Sequence, residues 1–264
     1  MSAPSLLERG RRGEPLTDED IVDLHGHLGP YSFAIPDATP AALVSVMDRT
    51  GVRAIVCSHI HCITGHVESG NATVLDAMRA FPGRILGYVA LWPSSAAEVA
   101  EQARRYLDAG FTGLKIHNAN GFAYTDPAYA PALALANERH MPVLLHTWAQ
   151  AAEFAEVREL APRYPECSFL LAHTANGMGT ADYTRIAREL PNVYLDLCAS
   201  RTPLGLVDRL VQEAGADKVV WTSDALFINL AHQLGKVLGA RLGDADKRTI
   251  LSTNARRILG RTIR

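Results

Sequence analysis

The chain has 264 residues, which suits a single domain with one large core and is close to the length of a (β/α)8 barrel. Hydrophobic residues make up 48% of the chain, charged residues 20%, and the formal net charge is -2. This balance excludes a strongly basic nucleic-acid-binding surface and the composition of a disordered chain, so we expect a small-molecule partner.

Residues 1–19 are polar and lack the apolar run of a secretory signal. We interpret them as an N-terminal extension of one domain that covers residues 20–264. No apolar run approaches the length of a membrane span, so no membrane partner is expected. The cysteines are scattered without a C-x-x-C pair, which is typical of reduced thiols and predicts a cytoplasmic protein; they are Cys57, Cys62, Cys167 and Cys198.

Apolar runs of strand length recur along the whole chain. They cover residues 21–27, 53–59, 85–92, 113–117, 142–146, 168–173, 193–198 and 219–224. Successive runs end about 30 positions apart, which is the length of one strand, one helix and two loops. The near-continuous apolar character of residues 53–57 indicates a strand that is buried on both faces, as in a parallel sheet covered by helices.

Segments with helical periodicity lie between these strands, at residues 96–107, 128–139 and 204–214, and a final helix is predicted over residues 247–260. Capping residues mark several helix starts: Thr39, Asp126 and Thr202 each precede a proline, and Ser95 forms a capping box with Glu98. A doubly wound sheet also fits this alternation. Eight repeated units favour an α/β fold of the (β/α)8 TIM-barrel type.

Side chains of the metal-ligand type stand at four predicted strand ends. On the first strand Asp23, His25 and His27 alternate, which predicts that they share one face. Later strands end in His146, His173 and Asp224. Ligands from the first, fifth, sixth and eighth strands converge only if the sheet closes, so this pattern predicts one metal site at the mouth of a barrel.

The ordered set of a His-x-His pair, two single histidines and an aspartate resembles the amidohydrolase superfamily. Residues 113–117, 222–224 and 254–256 resemble its amidohydrolase-related branch, which includes hydrolases, lactonases and non-oxidative decarboxylases of the aminocarboxymuconate-semialdehyde type. The likeness covers residues 20–260. It implies that one divalent ion is bound by four residues, which are His25, His27, His146 and Asp224. Zinc is the expected ion, with manganese, iron or cobalt as alternatives.

The resemblance implies a metal-dependent hydrolase that directs an ion-activated water at a carbonyl-centred bond, such as that of a lactone or amide, in a small carboxylated substrate. Asp224 and His173 are the implied catalytic residues: Asp224 transfers the proton of the water, and His173 stabilises the oxyanion. The alternative is a metal-dependent non-oxidative decarboxylase, which the same ligands serve. A non-catalytic metal-binding or small-molecule-binding protein is a third hypothesis, and a homo-oligomer is compatible with all three.

Three further residues are predicted to contact the substrate: Lys115, His117 and Arg201. In two-metal relatives a lysine on the fourth strand is carboxylated and bridges two ions, so carboxylation of Lys115 would imply a second ion. His117, however, occupies the strand end itself, which favours a single ion. Arg201 follows the seventh strand, where its planar guanidinium fits either a substrate carboxylate or solvent.

A second His-x-His spacing follows the second predicted strand, in a segment that contains His59, His61, Cys62 and His66. It fits a rival metal cluster or a loop at the barrel mouth, and we favour the loop because no partner ligands are evident elsewhere. Aromatic residues near strand ends fit the lining of an apolar pocket or packing between loops; they are Tyr31, Trp92 and Trp148.

Overall fold

The structure is a computed structural model that describes residues 4–260, apart from the side chain of Cys62. Eight parallel strands follow one another around a barrel in chain order, each paired with the next. They are β1 Ile21–Leu28, β2 Val52–His59, β3 Ile85–Ala90, β4 Gly113–His117, β5 Pro142–His146, β6 Ser168–Leu171, β7 Val193–Asp196 and β8 Val219–Val220. A bridge between Gly26 and Ala225 joins β1 to the chain after β8. The predicted (β/α)8 TIM barrel is confirmed.

Helices alternate with the strands as predicted. They are α1 Leu6–Arg11, α2 Pro40–Thr50, α3 Val67–Ala80, α4 Ala96–Asp108, α5 Ala130–Glu138, α6 Ala151–Arg163, α7 Thr180–Glu189, α8 Leu206–Ala214, α9 Leu230–Leu238, α10 Asp244–Arg248 and α11 Asn254–Leu259. Thr39 caps α2, and Ser95 forms the predicted capping box of α4. Thr202 does not cap α8, because the chain makes a left-handed turn at Gly205, with φ of 80°, before that helix begins.

The core has an outer and an inner part. The outer part packs the covering helices against the outward side chains of the strands. The inner part fills the barrel and includes Val22, Leu144 and Val220, together with Ile258 of α11. Because α11 joins the inner cluster, and Asn254 donates hydrogen bonds to Ala216 O and Val219 O, this helix closes the barrel end opposite the strand carboxyl ends.

Residues 4–19, in the predicted N-terminal extension, pack on the barrel. They include α1, whose Leu6 is fully buried, and Leu16, whose backbone N–H donates to Thr50 O at 3.1 Å. Gly51 takes φ of 82°, and a Cβ there would lie 2.3 Å from Leu16 N, so only glycine allows this close approach. Among the helices of residues 4–260, none is long and apolar enough to span a bilayer.

Candidate metal centre at the barrel mouth

Three predicted ligands come together where β1 meets the end of β8. His25 Nε2 lies 3.2 Å from His27 Nε2, and Asp224 Oδ1 lies 3.1 Å from His27 Nε2 and 3.8 Å from His25 Nε2. A tetrahedral ion about 2.1 Å from each ligand would separate the ligand atoms by about 3.4 Å. The three atoms therefore have the spacing that a small divalent cation requires.

Asp224 reaches this cluster because the chain turns sharply after β8. Its φ is 59°, and its backbone N–H donates to His25 O at 2.8 Å, which fixes the residue beside β1. Burial opposes ionisation of the side chain, but the hydrogen bond with His27 Nε2 holds the pKa of Asp224 below its usual range. Asp224 is therefore a carboxylate at neutral pH, as a metal ligand must be.

A buried carboxylate that we had not predicted as a site residue, Asp196, orients His25. It lies at the end of β7, and its Oδ2 accepts a hydrogen bond from His25 Nδ1 at 2.8 Å. Thr222 Oγ1 donates to its Oδ1 at 2.6 Å. This contact leaves the lone pair of His25 at Nε2, facing the cluster, which is the usual carboxylate–histidine arrangement behind a metal ligand. The sequence signal was a carboxylate ending an apolar strand, at residues 193–196.

His27 is held on two sides. Ser58 Oγ of β2 lies 3.2 Å from His27 Nδ1, and the ring of Phe227 stacks on the imidazole with centroids 4.8 Å apart. Because Nδ1 of His27 is hydrogen-bonded to Ser58, the other ring nitrogen, Nε2, is directed at Asp224. The second histidine of the pair is thereby fixed in the same cluster as the first.

His146 and His173 form a second group beside the cluster. His173 has φ of 66° and places Nε2 3.1 Å from His146 Nδ1. His117 of β4 stacks on His146 with centroids 3.8 Å apart. Among the described residues, the buried Nε2 of His146 has no hydrogen-bond partner. His146 is thus outside the three-atom cluster, yet it carries a nitrogen that lacks a protein partner.

Burial keeps these histidines neutral. Burial and then the charge of Lys115 lower the pKa of His25 to about 4 and that of His117 to about 2. Burial also lowers the pKa of His146 well below its ordinary value, and it lowers that of His173. Neutral imidazoles offer lone pairs, so this group has the protonation state of metal ligands.

Lys115 lies in the barrel interior on β4, where its Nζ is 3.4 Å from His25 Nε2. The side chain is almost fully buried. This position beside a ligand atom agrees with a role either as an ammonium near bound substrate or as a carboxylated ligand. The predicted roles of Lys115 and His117 in substrate binding stay predictions.

Asp23 does not follow the predicted alternation. The pairing of β1 with β2 shifts register between Asp23 and Gly26, and Asp23 Oδ1 accepts hydrogen bonds from the backbone N–H groups of His25 and Ser223. Burial raises its pKa to about 8. Asp23 thus supports the backbone behind the cluster, and it is absent from the donor groups found among the described residues.

A pocket of about 250 Å³ opens over the cluster. It is lined by cluster residues and by loop residues that include Tyr31, Phe33, Trp148 and Phe227. Trp148 is fixed over the pocket because Asn118 accepts a hydrogen bond from its Nε1 at 3.0 Å and the buried Glu153 accepts one from its backbone N–H. Aromatic rings therefore form much of the wall above the metal-ligand side chains.

Several predicted candidates lie elsewhere. Arg201 is exposed and is not among the described residues that line the pocket, so its role as a carboxylate clamp stays a prediction. Trp92 packs near Gly65 and Phe122 instead of lining the pocket. His59 and His61 lie with ring centroids 4.5 Å apart, but with the Cys62 side chain outside the description they form no donor group among the described residues.

The protein is therefore a (β/α)8 barrel that carries, at the carboxyl ends of its strands, a set of side-chain atoms suited to binding a divalent metal ion. The chain matches the amidohydrolase family model over residues 22–261, and it therefore belongs to this enzyme family. No curated protein sequence matches the chain.

Solved structures with the same fold are distant in sequence. A TIM-barrel protein from Bordetella bronchiseptica has a TM-score of 0.76 at 17% identity, covering 93% of this chain and 100% of that one. A dihydroxybenzoic acid decarboxylase from a Polaromonas species, with bound manganese and 2-nitroresorcinol, has a TM-score of 0.70 at 17% identity, covering 91% and 96%. A 5-carboxyvanillate decarboxylase from Novosphingobium aromaticivorans, with manganese and a nitrobenzoic acid, has a TM-score of 0.72 at 13% identity, covering 94% and 98%.

Proposed function

We propose that this amidohydrolase-family enzyme catalyses the metal-dependent, non-oxidative decarboxylation of a small, planar, hydroxylated aromatic carboxylate. The observation that carries this proposal is the placement of the metal-ligand side chains His27 and Asp224 in one pocket with the aromatic rings of Tyr31, Trp148 and Phe227. Such walls favour a flat ring, which packs against aromatic side chains by stacking or edge contacts.

The side chains that would hold the ion are His25, His27 and Asp224, with His146 presenting from β5 an Nε2 that has no partner among the described residues. A bound divalent ion supplies positive charge that attracts the substrate's oxygen substituents and disperses negative charge during the reaction. The manganese in two structural relatives supports manganese as the ion, and zinc remains compatible with the nitrogen and oxygen donors.

In the proposed reaction the bond between the ring carbon and the carboxylate breaks, carbon dioxide leaves, and the electron pair remains on the ring carbon. A proton must then replace carbon dioxide. Asp224 is a carboxylate inside the pocket, so it is placed to accept the proton of a substrate hydroxyl and return it to that carbon. The packed rings of His27 and Phe227 would limit movement of the substrate ring during this transfer.

Hydrolysis, the function first predicted from the sequence, is the second candidate. The ionised Asp224 favours it, because a carboxylate beside the ligand cluster also serves as the base that takes a proton from an attacking water. His173 would then stabilise the developing oxyanion. The two candidates use the same side chains and differ in which bond breaks.

Their products distinguish the two candidates. Manganese-loaded protein is incubated with hydroxybenzoates and, separately, with lactones, while carbon dioxide and acid release are measured. Decarboxylation predicts carbon dioxide from at least one hydroxybenzoate and little acid from lactones. Acid release from lactones without carbon dioxide from any hydroxybenzoate would replace the proposal by hydrolysis, and an exposed-site variant, Asp76→Asn, serves as the control for both assays.

A further inference from the structure

Three side chains connect the interior of the barrel to the pocket by short contacts. Cys198 Sγ lies 3.1 Å from His173 Nδ1, and His173 Nε2 lies 3.1 Å from His146 Nδ1. At the far end, the buried Nε2 of His146 has no partner among the described residues and belongs to a side chain that lines the pocket. The three groups form a continuous relay of polar atoms, which we call the Cys198 relay.

The number of ring protons on the two histidines determines which atom donates and which accepts in each hydrogen bond of the relay. A neutral imidazole carries one ring proton, and His146 must be in this neutral form for its Nε2, which has no partner among the described residues, to offer a lone pair to a cation. If His146 offers the lone pair of Nε2 to a cation, its proton is on Nδ1 and is donated to His173 Nε2. His173 must then carry its own proton on Nδ1, from which the only relay partner is the sulfur of Cys198.

Cys198 is suited to accept that hydrogen bond. Its sulfur lies in the fully buried interior, 3.1 Å from His173 Nδ1, and a cysteine sulfur can accept a weak hydrogen bond. His25 Nδ1 is also 3.3 Å from the sulfur, but its proton is directed at Asp196 Oδ2 at the shorter distance of 2.8 Å. The sulfur lone pairs therefore remain for His173.

We propose that Cys198 is a positioning residue that fixes the tautomers of His173 and His146, so that His146 presents a lone pair and not an N–H to the divalent ion. This inference rests on the metal centre of the proposed function and assigns a role to a thiol that is not among the residues lining the pocket. It makes ion affinity depend on a side chain two hydrogen bonds away from His146 Nε2.

The test compares two substitutions of Cys198 with a matched substitution of another buried thiol. Cys198→Ser keeps an acceptor for His173, whereas Cys198→Ala removes it, and Cys167→Ala removes a buried thiol of the outer core, which lies near Leu133 O just before β6. Calorimetric titration with manganese should show about 10- to 100-fold weaker binding for Cys198→Ala, as for other groups behind a metal ligand. Cys198→Ser and Cys167→Ala should bind manganese as the parent does.

Nitrogen-15 NMR of the histidine rings in zinc-loaded protein reads the tautomers directly. The proposal predicts that His173 and His146 both carry the proton on Nδ1 in the parent and in Cys198→Ser. A proton on Nε2 of His173 in the parent, or unchanged manganese affinity in Cys198→Ala, would overturn it. Neither readout depends on turnover, so a protein with the predicted tautomers that releases no carbon dioxide would refute the proposed reaction and leave the relay standing.

Discussion

Asp224 is the only anionic member of the three-atom cluster, and its side chain also borders the pocket. Replacement by asparagine removes the charge with little change in volume. We expect Asp224→Asn to bind manganese more weakly and to lose about 10²- to 10⁴-fold of its turnover at saturating manganese, because the proton carrier is absent. Calorimetry and carbon dioxide release measure the two effects separately.

The fold should survive this substitution, because the backbone contact of Asp224 with His25 O is independent of its side chain. Circular dichroism checks that expectation, and Asp76→Asn on the exposed face of α3 supplies the matched loss of one carboxylate. Turnover in Asp224→Asn equal to that of the parent would rule out Asp224 as the proton carrier in either candidate reaction.

Some residues at the barrel mouth could be predicted from the sequence and others could not. His25 and His27 lie on β1, His146 ends β5, and His173 and Asp224 follow β6 and β8 by a few residues. Because a barrel brings the carboxyl ends of its strands together, spacing along the chain predicted that these side chains would be neighbours. Asp196 and Cys198 act through contacts with His25 and His173, which come from other strands. Spacing within one strand carries no information about such cross-barrel hydrogen bonds, and it gives no side-chain direction for Arg201 in its loop.

At the scale of elements, β1 depends on the glycine between its two histidines. A Cβ at Gly26 would lie 2.4 Å from Ile55 Cδ1 and 2.8 Å from Ile55 Cγ1, inside a fully buried layer. We therefore expect Gly26→Ala to lower the free energy of unfolding by about 1–3 kcal/mol, the usual result of overpacking, and to weaken manganese binding by displacing β1. Chemical denaturation and calorimetry measure these changes.

The helix α9 offers a control with the opposite sign. Gly235 lies within this helix, and a Cβ there would meet no atom within 4 Å. Gly235→Ala should raise the free energy of unfolding by about 0.5–1 kcal/mol through the lower entropy of the unfolded chain, with manganese affinity unchanged. If Gly26→Ala behaved in the same way, β1 would not be packed as described.

Element positions were predictable because strands of this barrel are apolar on both faces and helices begin at capping residues. The residues at which strands and helices end were harder to predict. The apolar run that begins β8 continues to Asp224, but Trp221 N donates to Ile250 O instead of extending the ladder, so the strand ends at Val220. Such endings depend on contacts with a distant segment, in this case the π-helical segment Thr249–Thr253 between α10 and α11.

For the whole molecule, closure of the barrel and ion binding should reinforce each other. The cluster joins β1 to the segment after β8, where Gly26 bridges Ala225, so an ion held by His25, His27 and Asp224 would tie the seam of the barrel together.

A ligand at a hundred times its dissociation constant stabilises the folded state by about 2.7 kcal/mol. For a chain of this size, chelation of the ion should therefore lower the melting temperature by about 5–10 °C. Calorimetric melting with and without EDTA measures the shift, and Asp224→Asn, which lacks the anionic ligand, should show a much smaller one. An equal shift in the variant would place the stabilising ion outside this cluster.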